Sequence, residues 1–222
     1  MELAHSLLTL LGVEHGFGTR LSKGDSGQEI AKSREAVTLR QVHGTNVLPE
    51  IEILSAGVPS SGDGLFSGPG GRPVGVWTAD CLPVFLSSRS GRHVAALHAG
   101  WRGATSGIAR EGVRHLLREG GGPAREMRAV LGPSIGPCCY EVGSEVWEAV
   151  GTGTPGYRPP STSKLDIRGL VAFQLEEMGL LPENIGSLPL CTRCHPDLFF
   201  SHRGMGGERK GRSMINFILP RP

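Results

Sequence analysis

The sequence predicts one α/β domain over residues 1–222, and three observations lead to that expectation. Short apolar runs alternate with Gly, Pro, Ser and Asp between residues 37 and 99, which is the pattern of strands in a covered sheet. After Gly103 the apolar spacing changes to that of an amphipathic helix. The chain contains no internal repeat and no linker long enough to separate domains, so a single domain is the economical interpretation.

Each element follows from its local pattern. Four apolar runs predict strands over residues 37–42, 74–78, 84–87 and 93–99. A helix follows, with a buried face made of Ile108, Val113, Leu116 and Leu117. The Gly-Gly-Gly-Pro run at 120–123 should end that helix. The remaining elements are a strand over 127–131, a helix over 144–150, a loop over 151–163, a helix capped by Asp166 and stopped by Gly179, and a last strand over 213–219.

Charge and composition exclude several classes of partner. The 23 basic and 21 acidic residues leave a net charge of +2, so we expect neither nucleic acid nor an anionic membrane as a partner. No apolar run approaches the roughly 18 residues of a membrane helix. The odd number of cysteines, five, and the adjacent pair Cys138 and Cys139 do not indicate a disulfide framework. The first residues lack the features of a signal peptide. We therefore expect a cytoplasmic protein, monomeric or a small homo-oligomer, that acts on small molecules.

One glycine motif matches a nucleotide-binding signature without its context. Gly151, Gly153 and Gly156 have the G-x-G-x-x-G spacing of dinucleotide-binding loops. That loop needs a strand before it and a helix opening on it, whereas here a helix precedes and prolines follow. We interpret these glycines as part of a flexible loop.

A cysteine motif near the end of the chain also matches known signatures without their usual context. Residues 191–195 read C-x-x-C-H, which occurs at covalent haem sites and in dithiol redox pairs. Haem attachment of this type requires export, and structural zinc requires a second C-x₂-C, which the adjacent Cys138 and Cys139 cannot supply. We interpret Cys191 and Cys194 mainly as ordinary residues near a turn, with a redox or metal role as the alternative.

Soft and borderline metal ligands lie at the ends of three predicted strands. His43 follows the first apolar run, Cys81 follows the second, and His98 lies at the end of the fourth. Each alone is more often a packed, hydrogen-bonded residue than a ligand, but strand ends can gather along one sheet edge. Two imidazoles and one thiolate suit Zn²⁺, and three protein ligands leave one tetrahedral position open, as in catalytic zinc sites. The sequence therefore predicts His43, Cys81 and His98 as ligands of a catalytic Zn²⁺.

The predicted strand-to-helix turn at residues 98–103 offers a seat for an anion beside that metal, because backbone N–H groups and the helix dipole point out of it. Arg102 in this turn and Arg20 near the start of the chain are candidates for bidentate hydrogen bonding to phosphate oxygens. The alternative for each is that it is only a charged residue on a surface loop.

Several longer motifs occur in a fixed order. They are Gln41-Val42-His43-Gly44, Thr78-Ala79-Asp80-Cys81-Leu82-Pro83, His98-Ala99-Gly100-Trp101-Arg102-Gly103, and Gly132-Pro133-Ser134-Ile135-Gly136-Pro137 with Tyr140-Glu141-Val142-Gly143. With Cys191-Thr192 and residues 200–212, they resemble, over nearly the whole chain, the purine nucleoside phosphorylase family once called laccase-domain or polyphenol oxidase proteins.

This resemblance implies a layered α/β sandwich with mixed sheets, similar to the fold of certain cysteine-dependent hydrolase-like toxins. It implies a zinc enzyme that phosphorolyses adenosine, inosine, guanosine or methylthioadenosine and deaminates adenosine, with His43, Cys81 and His98 as the metal ligands. Nucleosides and inorganic phosphate are the expected partners. Some bacterial members are linked to peptidoglycan editing.

Further roles are assigned to polar residues within or near these motifs. The carboxylate candidates for acid/base catalysis are Asp63, Asp80 and Glu141, although Asp63 also fits a turn and Glu141 a helix cap. The residues expected to bind substrate or phosphate are Arg20, Arg40, Gln41, Asp63 and Arg102.

Two departures from the family pattern affect the expected substrate wall. The segment over residues 21–36 is short and lacks the Ser-Leu-Asn motif that family members carry there. The late segment reads Phe200-Ser201-His202-Arg203-Gly204, with one arginine where the family carries two.

Three alternatives stay open from the sequence. Copper-dependent oxidation of phenols follows from the older family name, with copper as the alternative metal, but none of the eight histidines forms a His-x-His pair. Cys81 with His98 as base would suit a hydrolase with a peptidoglycan-editing role. A non-catalytic redox or scaffold protein would be built on Cys191 and Cys194.

Overall fold

Strands and helices form a mixed α/β fold, of which the computed structural model describes residues 1–22, 35–56, 60–160, 163–204 and 212–222. Within these ranges the strands are β1 (Glu2–Leu3), β2 (His15–Gly18), β3 (Val47–Pro49), β4 (Gly64–Ser67), β5 (Val74–Thr78), β6 (Leu82–Ser87), β7 (Val94–Ala99), β8 (Arg128–Leu131), β9 (Ile185–Ser187) and β10 (Met214–Ile218). The α-helices are α1 (Ser6–Thr9), α2 (Glu50–Ala56), α3 (Trp101–Thr105), α4 (Ile108–Arg118), α5 (Ser144–Gly153) and α6 (Ile167–Glu177). Short 3-10 turns at Ala124–Glu126 and Pro182–Asn184 precede β8 and β9.

The strands form one sheet of four strands and one of six. The smaller sheet has the order β1-β2-β10-β5, and its pairs are antiparallel. The larger sheet has the order β3-β4-β7-β6-β8-β9 and is mixed, because its edge strands β3 and β9 run parallel to their neighbours while the inner pairs are antiparallel. The expected α/β sandwich is therefore confirmed, with the mixed pairing confined to the larger sheet.

The larger sheet is covered on both faces, which explains its near-continuous apolar strands. Side chains alternate along β6: Val84 and Leu86 pack against the helices, and Phe85 packs against the smaller sheet. The Phe85 ring stacks on Phe17 of β2 with ring centroids 4.4 Å apart. The layers are thus helices, the six-stranded sheet and the four-stranded sheet.

Most predicted elements are confirmed. The strands over 74–78, 84–87, 93–99, 127–131 and 213–219 occur with ends shifted by up to two residues, and α4 ends at Arg118, before the glycine run. The α6 prediction holds in detail, since the Asp166 carboxylate accepts a hydrogen bond from the Gly169 N–H at 3.0 Å and Gly179 has a φ of +92°. Among the described helices, none has the length and apolar character needed to span a membrane.

Three local predictions were wrong. Residues 37–42 do not form a strand; Val37 and Arg40 make only isolated bridges, to Val74 and Ser61. Leu117 is 42 % exposed, because it lies one residue beyond the stripe of α4 that faces the sheet. The loop predicted over 151–163 begins later, since α5 continues to Gly153, and residues 161–162 lie outside the described ranges.

The glycines of the G-x-G-x-x-G motif are explained by packing. A Cβ on Gly153 would lie 1.9 Å from the carbonyl oxygen of Thr105, so the last turn of α5 rests directly on α3. A Cβ on Gly156 would lie 3.0 Å from the ring of Phe173. At these two positions a small residue lets one element approach another.

Candidate metal centre

The three predicted metal ligands converge at one end of the larger sheet. In the antiparallel pair of β6 and β7, Leu82 lies opposite Ala99, so Cys81 comes just before the start of β6 and His98 is the last residue but one of β7. His43 reaches the same point from the loop before β3, and its Nε2 lies 3.9 Å from the Cys81 Sγ. One ligand atom from each residue lies within 4.8 Å of the other two. This is a donor set of two imidazole nitrogens and one thiolate, as the sequence predicts.

A buried carboxylate supports the two histidines from behind. Asp63 is 0 % exposed, and its Oδ1 lies 2.8 Å from the Nδ1 of His98, which leaves the Nε2 of that ring for a metal. The same carboxylate accepts hydrogen bonds from the backbone N–H groups of His43 and Gly44 at 2.8 and 2.7 Å. A carboxylate behind a histidine ligand is the usual arrangement that orients the ring at a metal site.

The position of Asp63 bears on the substrate-binding and acid/base roles that the sequence predicts for it, which stay predictions. Substrate or phosphate binding and acid/base catalysis both require an accessible oxygen, and the Asp63 oxygens are enclosed and hydrogen-bonded. Its spacing between Gly62 and Gly64 suggested a turn and gave no sign of the long-range bond to His98.

Burial and hydrogen bonding shift the titration of this group of residues. Burial acts to raise the pKa of the Asp63 carboxyl, but hydrogen bonds from His98, Gly44 and His43 outweigh it and the pKa falls. Burial acts to lower the pKa of His98, yet the bonds to Asp63 and Cys81 raise it to about 9. For Cys81 burial acts upward, and the two histidines bring the pKa down to about 7. The site therefore favours a thiolate, the form that binds metals and attacks electrophiles.

Backbone strain occurs at two positions of the site. Among the described non-glycine residues, positive φ values occur at Glu35, at His43 with +62° and at Asp80 with +88°. Such conformations cost free energy and persist only where surrounding contacts enforce them. At His43 the contacts are the bonds to the Asp63 carboxylate.

Asp80 is likewise held by hydrogen bonds, and its expected catalytic role stays a prediction. Its Oδ1 accepts a hydrogen bond from the Thr192 hydroxyl at 2.6 Å, and its Oδ2 accepts one from the Arg203 N–H at 2.7 Å. With 7 % exposure and both oxygens engaged, the carboxylate anchors the turn that presents Cys81.

Two glycines allow the strand-to-helix turn to pack on the ligands. A Cβ on Gly100 would lie 2.7 Å from the Cδ2 of His43 and 3.2 Å from the Sγ of Cys81. A Cβ on Gly103 would lie 2.7 Å from the carbonyl oxygen of Gly44. The spacing of these glycines therefore reflects close contact between α3 and the His43 loop.

A cavity of about 250 Å³ lies beside this turn. It is lined by Trp101, Tyr140, Glu141, Val142, Gly143, Glu145, Val146 and Arg203. Burial raises the pKa of Tyr140 to about 12, and the charge of Cys81 adds to that shift. Arg203 lies with its guanidinium carbon 5.4 Å from the Tyr140 ring centre and donates a hydrogen bond to the Glu141 carbonyl oxygen at 3.1 Å.

Of the predicted acid/base residues, Glu141 is the one at this cavity. Trp101, Tyr140 and Arg203 carry no predicted site role, although all three lie in the motifs and segments that carry the family resemblance. Their position at the cavity depends on long-range contacts that the motifs do not reveal.

The predicted phosphate-binding residues are dispersed. Arg102 is exposed and its guanidinium carbon lies 4.2 Å from the Trp101 ring centre, next to the cavity. Arg20 donates a hydrogen bond to the Pro196 carbonyl oxygen. It lines a separate cavity of about 410 Å³, which also contains Arg193 and Arg212.

Arg40 and Gln41 do not face either of these cavities. The Arg40 guanidinium donates to the Ser61 hydroxyl at 2.8 Å. The Gln41 amide both donates to and accepts from the backbone of Trp77, at 2.8 and 2.7 Å. Gln41 thus completes the edge of β5, and its expected role in substrate binding stays a prediction.

A second group of metal-ligating side chains was not expected. The Sγ atoms of Cys138, Cys139, Cys191 and Cys194 all lie within 4.8 Å of one another. The adjacent Cys138 and Cys139 do not supply the second C-x₂-C spacing, but the turn after Gly136 brings both of their thiols close to Cys194.

Comparison with known proteins identifies the family. A family model described as multi-copper polyphenol oxidoreductase laccase matches residues 25–220. The chain belongs to this family. The laccase family named here is the one that the sequence motifs indicate.

Relatives in this laccase family include nucleoside-processing enzymes. The chain is 35 % identical over 161 residues to the human purine nucleoside phosphorylase LACC1, covering 69 % of this chain and 37 % of that protein. It is 33 % identical over 184 residues to a purine nucleoside phosphorylase of Xylella fastidiosa, covering 78 % and 68 %. It is 38 % identical over 143 residues to adenosine deaminase RL5 of an unknown prokaryotic organism, covering 61 % and 54 %. The chain thus spans little more than a third of the human relative's length.

Solved structures share the fold over most of the chain. The crystal structure of YlmD from Geobacillus stearothermophilus is similar with a TM-score of 0.82 and 25 % identity, over 98 % of this chain and 94 % of that one. The Neisseria meningitidis protein NMB0706 is similar with a TM-score of 0.74 and 29 % identity, over 88 % and 79 %.

Proposed function

We propose that this protein is a zinc-dependent enzyme that cleaves purine nucleosides by phosphorolysis, with adenosine deamination and methylthioadenosine phosphorolysis as further activities. The convergence of His43, Cys81 and His98 carries the proposal. Relatives named purine nucleoside phosphorylase and adenosine deaminase supply the substrate class.

The three side chains fit Zn²⁺ by the chemistry of their donor atoms. Two imidazoles and a thiolate are borderline and soft ligands that zinc prefers, and three ligands are the number typical of catalytic zinc. Asp63 supplies the supporting carboxylate that such sites usually have. When bound, Zn²⁺ supplies Lewis acidity that stabilises negative charge on an oxygen.

The cavity lined by Trp101 and Tyr140 suits a purine nucleoside. Trp101 and Tyr140 provide aromatic walls for a planar base, and Arg203 and Glu141 provide polar groups at the same wall. Arg102, which stacks on Trp101, adds positive charge for phosphate at this side of the centre.

The chain's residues have defined tasks in this reaction. In phosphorolysis a phosphate oxygen forms a bond to the ribose C1′ as the bond from C1′ to the purine nitrogen breaks, giving ribose 1-phosphate and the free base. The leaving base must gain a proton, and the Glu141 carboxyl at the cavity wall is the candidate donor. Arg102 orients the phosphate, and Asp63 holds the histidines in register.

Product analysis with and without phosphate tests this function. Purified protein is incubated with adenosine or inosine, in the presence or absence of inorganic phosphate and of a zinc chelator, and the bases and sugars are identified. We expect ribose 1-phosphate only with phosphate, inosine and ammonia from adenosine without it, and neither after chelation. The variant His98→Ala should lose both reactions, and His93→Ala, at a partly exposed histidine next to the opposite end of β7, should keep them. Unchanged turnover in His98→Ala or with chelator contradicts the proposal.

A cysteine hydrolase is a second candidate, supported by one arrangement. Cys81, His98 and Asp63 form a relay in which a low-pKa thiol faces a histidine that a carboxylate orients. In this relay His43 only helps to lower the pKa of Cys81 and is not the base. Amide hydrolysis that survives chelation and the His43→Ala change, but is abolished by alkylation of Cys81, would favour the hydrolase over the zinc enzyme.

A further inference from the structure

Four of the five cysteines meet at a point away from the His43–Cys81–His98 centre. Cys138 and Cys139 lie on the turn that follows Gly136, and Cys191 and Cys194 lie on the segment after β9. The Sγ of Cys194 is 3.5 Å from that of Cys138 and 3.4 Å from that of Cys139. All four sulfur atoms lie within 4.8 Å of one another.

These separations match metal coordination and not a disulfide. A disulfide brings two sulfurs to about 2.05 Å and joins one pair only. A tetrahedral zinc site with bonds of about 2.3 Å places its sulfurs about 3.8 Å apart. Here one sulfur is almost equidistant from two others, and the fourth remains in range, as four ligands around one centre require.

The backbone around the cluster holds the two segments together. The Gly136 N–H donates a hydrogen bond to the Cys191 Sγ at 3.3 Å, a contact that favours the thiolate. Ser134 and Cys191 form a bridge, and the Thr192 N–H donates to the Ser134 carbonyl oxygen at 3.0 Å. The sulfurs are thus brought together by a framework that does not depend on a metal.

Two cations lie where they would offset the charge of four thiolates. Lys164 donates to the Cys138 carbonyl oxygen at 2.9 Å. Arg168 donates to the Ser134 hydroxyl at 3.2 Å and contacts the Leu190 carbonyl oxygen at 3.4 Å. Four thiolates with Zn²⁺ leave a net charge of −2, which these two cations balance.

We propose that Cys138, Cys139, Cys191 and Cys194 bind a structural Zn²⁺ ion. Four protein ligands close the tetrahedral shell, so this ion takes no part in the chemistry. It joins two segments of the chain: Tyr140, which lines the cavity, follows Cys139 directly, and Thr192, which follows Cys191, donates a hydrogen bond to Asp80, which precedes Cys81. The ion thus links the cavity wall to the turn that presents a catalytic-centre ligand.

Metal content of paired variants tests this proposal. The full chain is purified without chelator, and zinc per chain is measured for the wild type, for Cys138→Ser/Cys194→Ser and for His98→Ala. We expect the cysteine variant to lose about one zinc ion per chain while His98→Ala keeps that ion. Asp197→Asn, at an exposed position three residues after Cys194, is the matched control and should keep all of the metal. Zinc content that is equal in the wild type and the cysteine variant overturns the proposal.

Cobalt substitution provides a readout in the unaltered chain, in case the cysteine variant does not fold. Co²⁺ bound by four thiolates gives an intense sulfur-to-metal charge-transfer band in the near ultraviolet, together with visible bands of a tetrahedral ion. In His98→Ala these bands must arise from the cysteine cluster, so their presence supports the site. Their absence there, or a disulfide among these cysteines found by mass spectrometry of protein purified under reducing conditions, overturns it. Neither measurement depends on nucleoside turnover.

Discussion

Asp63 is the residue on which the geometry of the candidate zinc centre depends. Its carboxylate holds the His98 ring and, through backbone N–H groups, the strained turn at His43 and Gly44. A single enclosed carboxylate therefore positions two ligands that come from different parts of the chain. Removal of its charge should affect metal binding more than overall folding.

The Asp63→Asn variant tests this role. An amide of nearly the same size keeps one oxygen for His98 but presents N–H groups to the Gly44 N–H, so one buried donor loses its acceptor. We expect zinc affinity to fall by about 10- to 100-fold, the usual effect of removing such a supporting group. Titration against a chromogenic chelator measures it.

Asp197→Asn serves as the control, because Asp197 is exposed and lies outside the centre. Equal zinc affinity in Asp63→Asn and the wild type would show that the ligands are positioned by packing alone.

At the scale of elements, close contact between α3 and its neighbours places the site. α3 begins one residue after Gly100, which touches two of the ligands, and α5 rests on its end through Gly153. The HAGWRG sequence is thus a packing motif as much as a chemical one. A methyl group at these contacts would separate elements that the site needs together.

Two glycines of α5 form a matched pair that tests the contact with α3. A Cβ on Gly153 would overlap the Thr105 carbonyl oxygen, whereas a Cβ on Gly151 meets nothing within 4 Å. We expect Gly153→Ala to lower the free energy of unfolding by about 1–3 kcal/mol through overpacking. Gly151→Ala should raise it by up to about 1 kcal/mol through helix propensity. Urea denaturation followed by circular dichroism measures both, and equal effects would contradict the packing interpretation.

At the scale of the whole molecule, an apolar layer holds the two sheets together. Phe85 of β6 is fully buried and stacks on Phe17 of β2 across that layer. The larger sheet carries Cys81 and His98 at one end, so its packing fixes the frame of the metal centre.

Truncation of Phe85 tests the contribution of this layer. We expect Phe85→Ala to reduce the free energy of unfolding by about 3–5 kcal/mol, the usual cost of removing a buried aromatic side chain. Leu10→Ala, at a position 84 % exposed, should change it by less than about 0.5 kcal/mol. Chemical denaturation of the two variants decides, and a small effect at Phe85 would mean that other contacts hold the sheets together.

Features that depend on neighbouring residues in the chain could be predicted from the sequence. His43, Cys81 and His98 were found because ligand types recur at the ends of apolar runs, and Asp166 and Gly179 because helix caps act within a few residues. The strand predicted over residues 37–42 was wrong, although the apolar pattern of this segment fits a strand. In the structure the side-chain amide of Gln41 makes the hydrogen bonds to the β5 backbone that a neighbouring strand would otherwise make.

Only the tertiary structure decided the interactions between distant residues. The Asp63–His98 bond joins residues 35 positions apart, and Cys138 meets Cys194 across 56 positions. No spacing rule covers such contacts, because the chain path between the partners sets them and that path depends on the packing of both sheets. The sequence shows which metal-ligating residues are present, and the tertiary structure determines which of them lie close together.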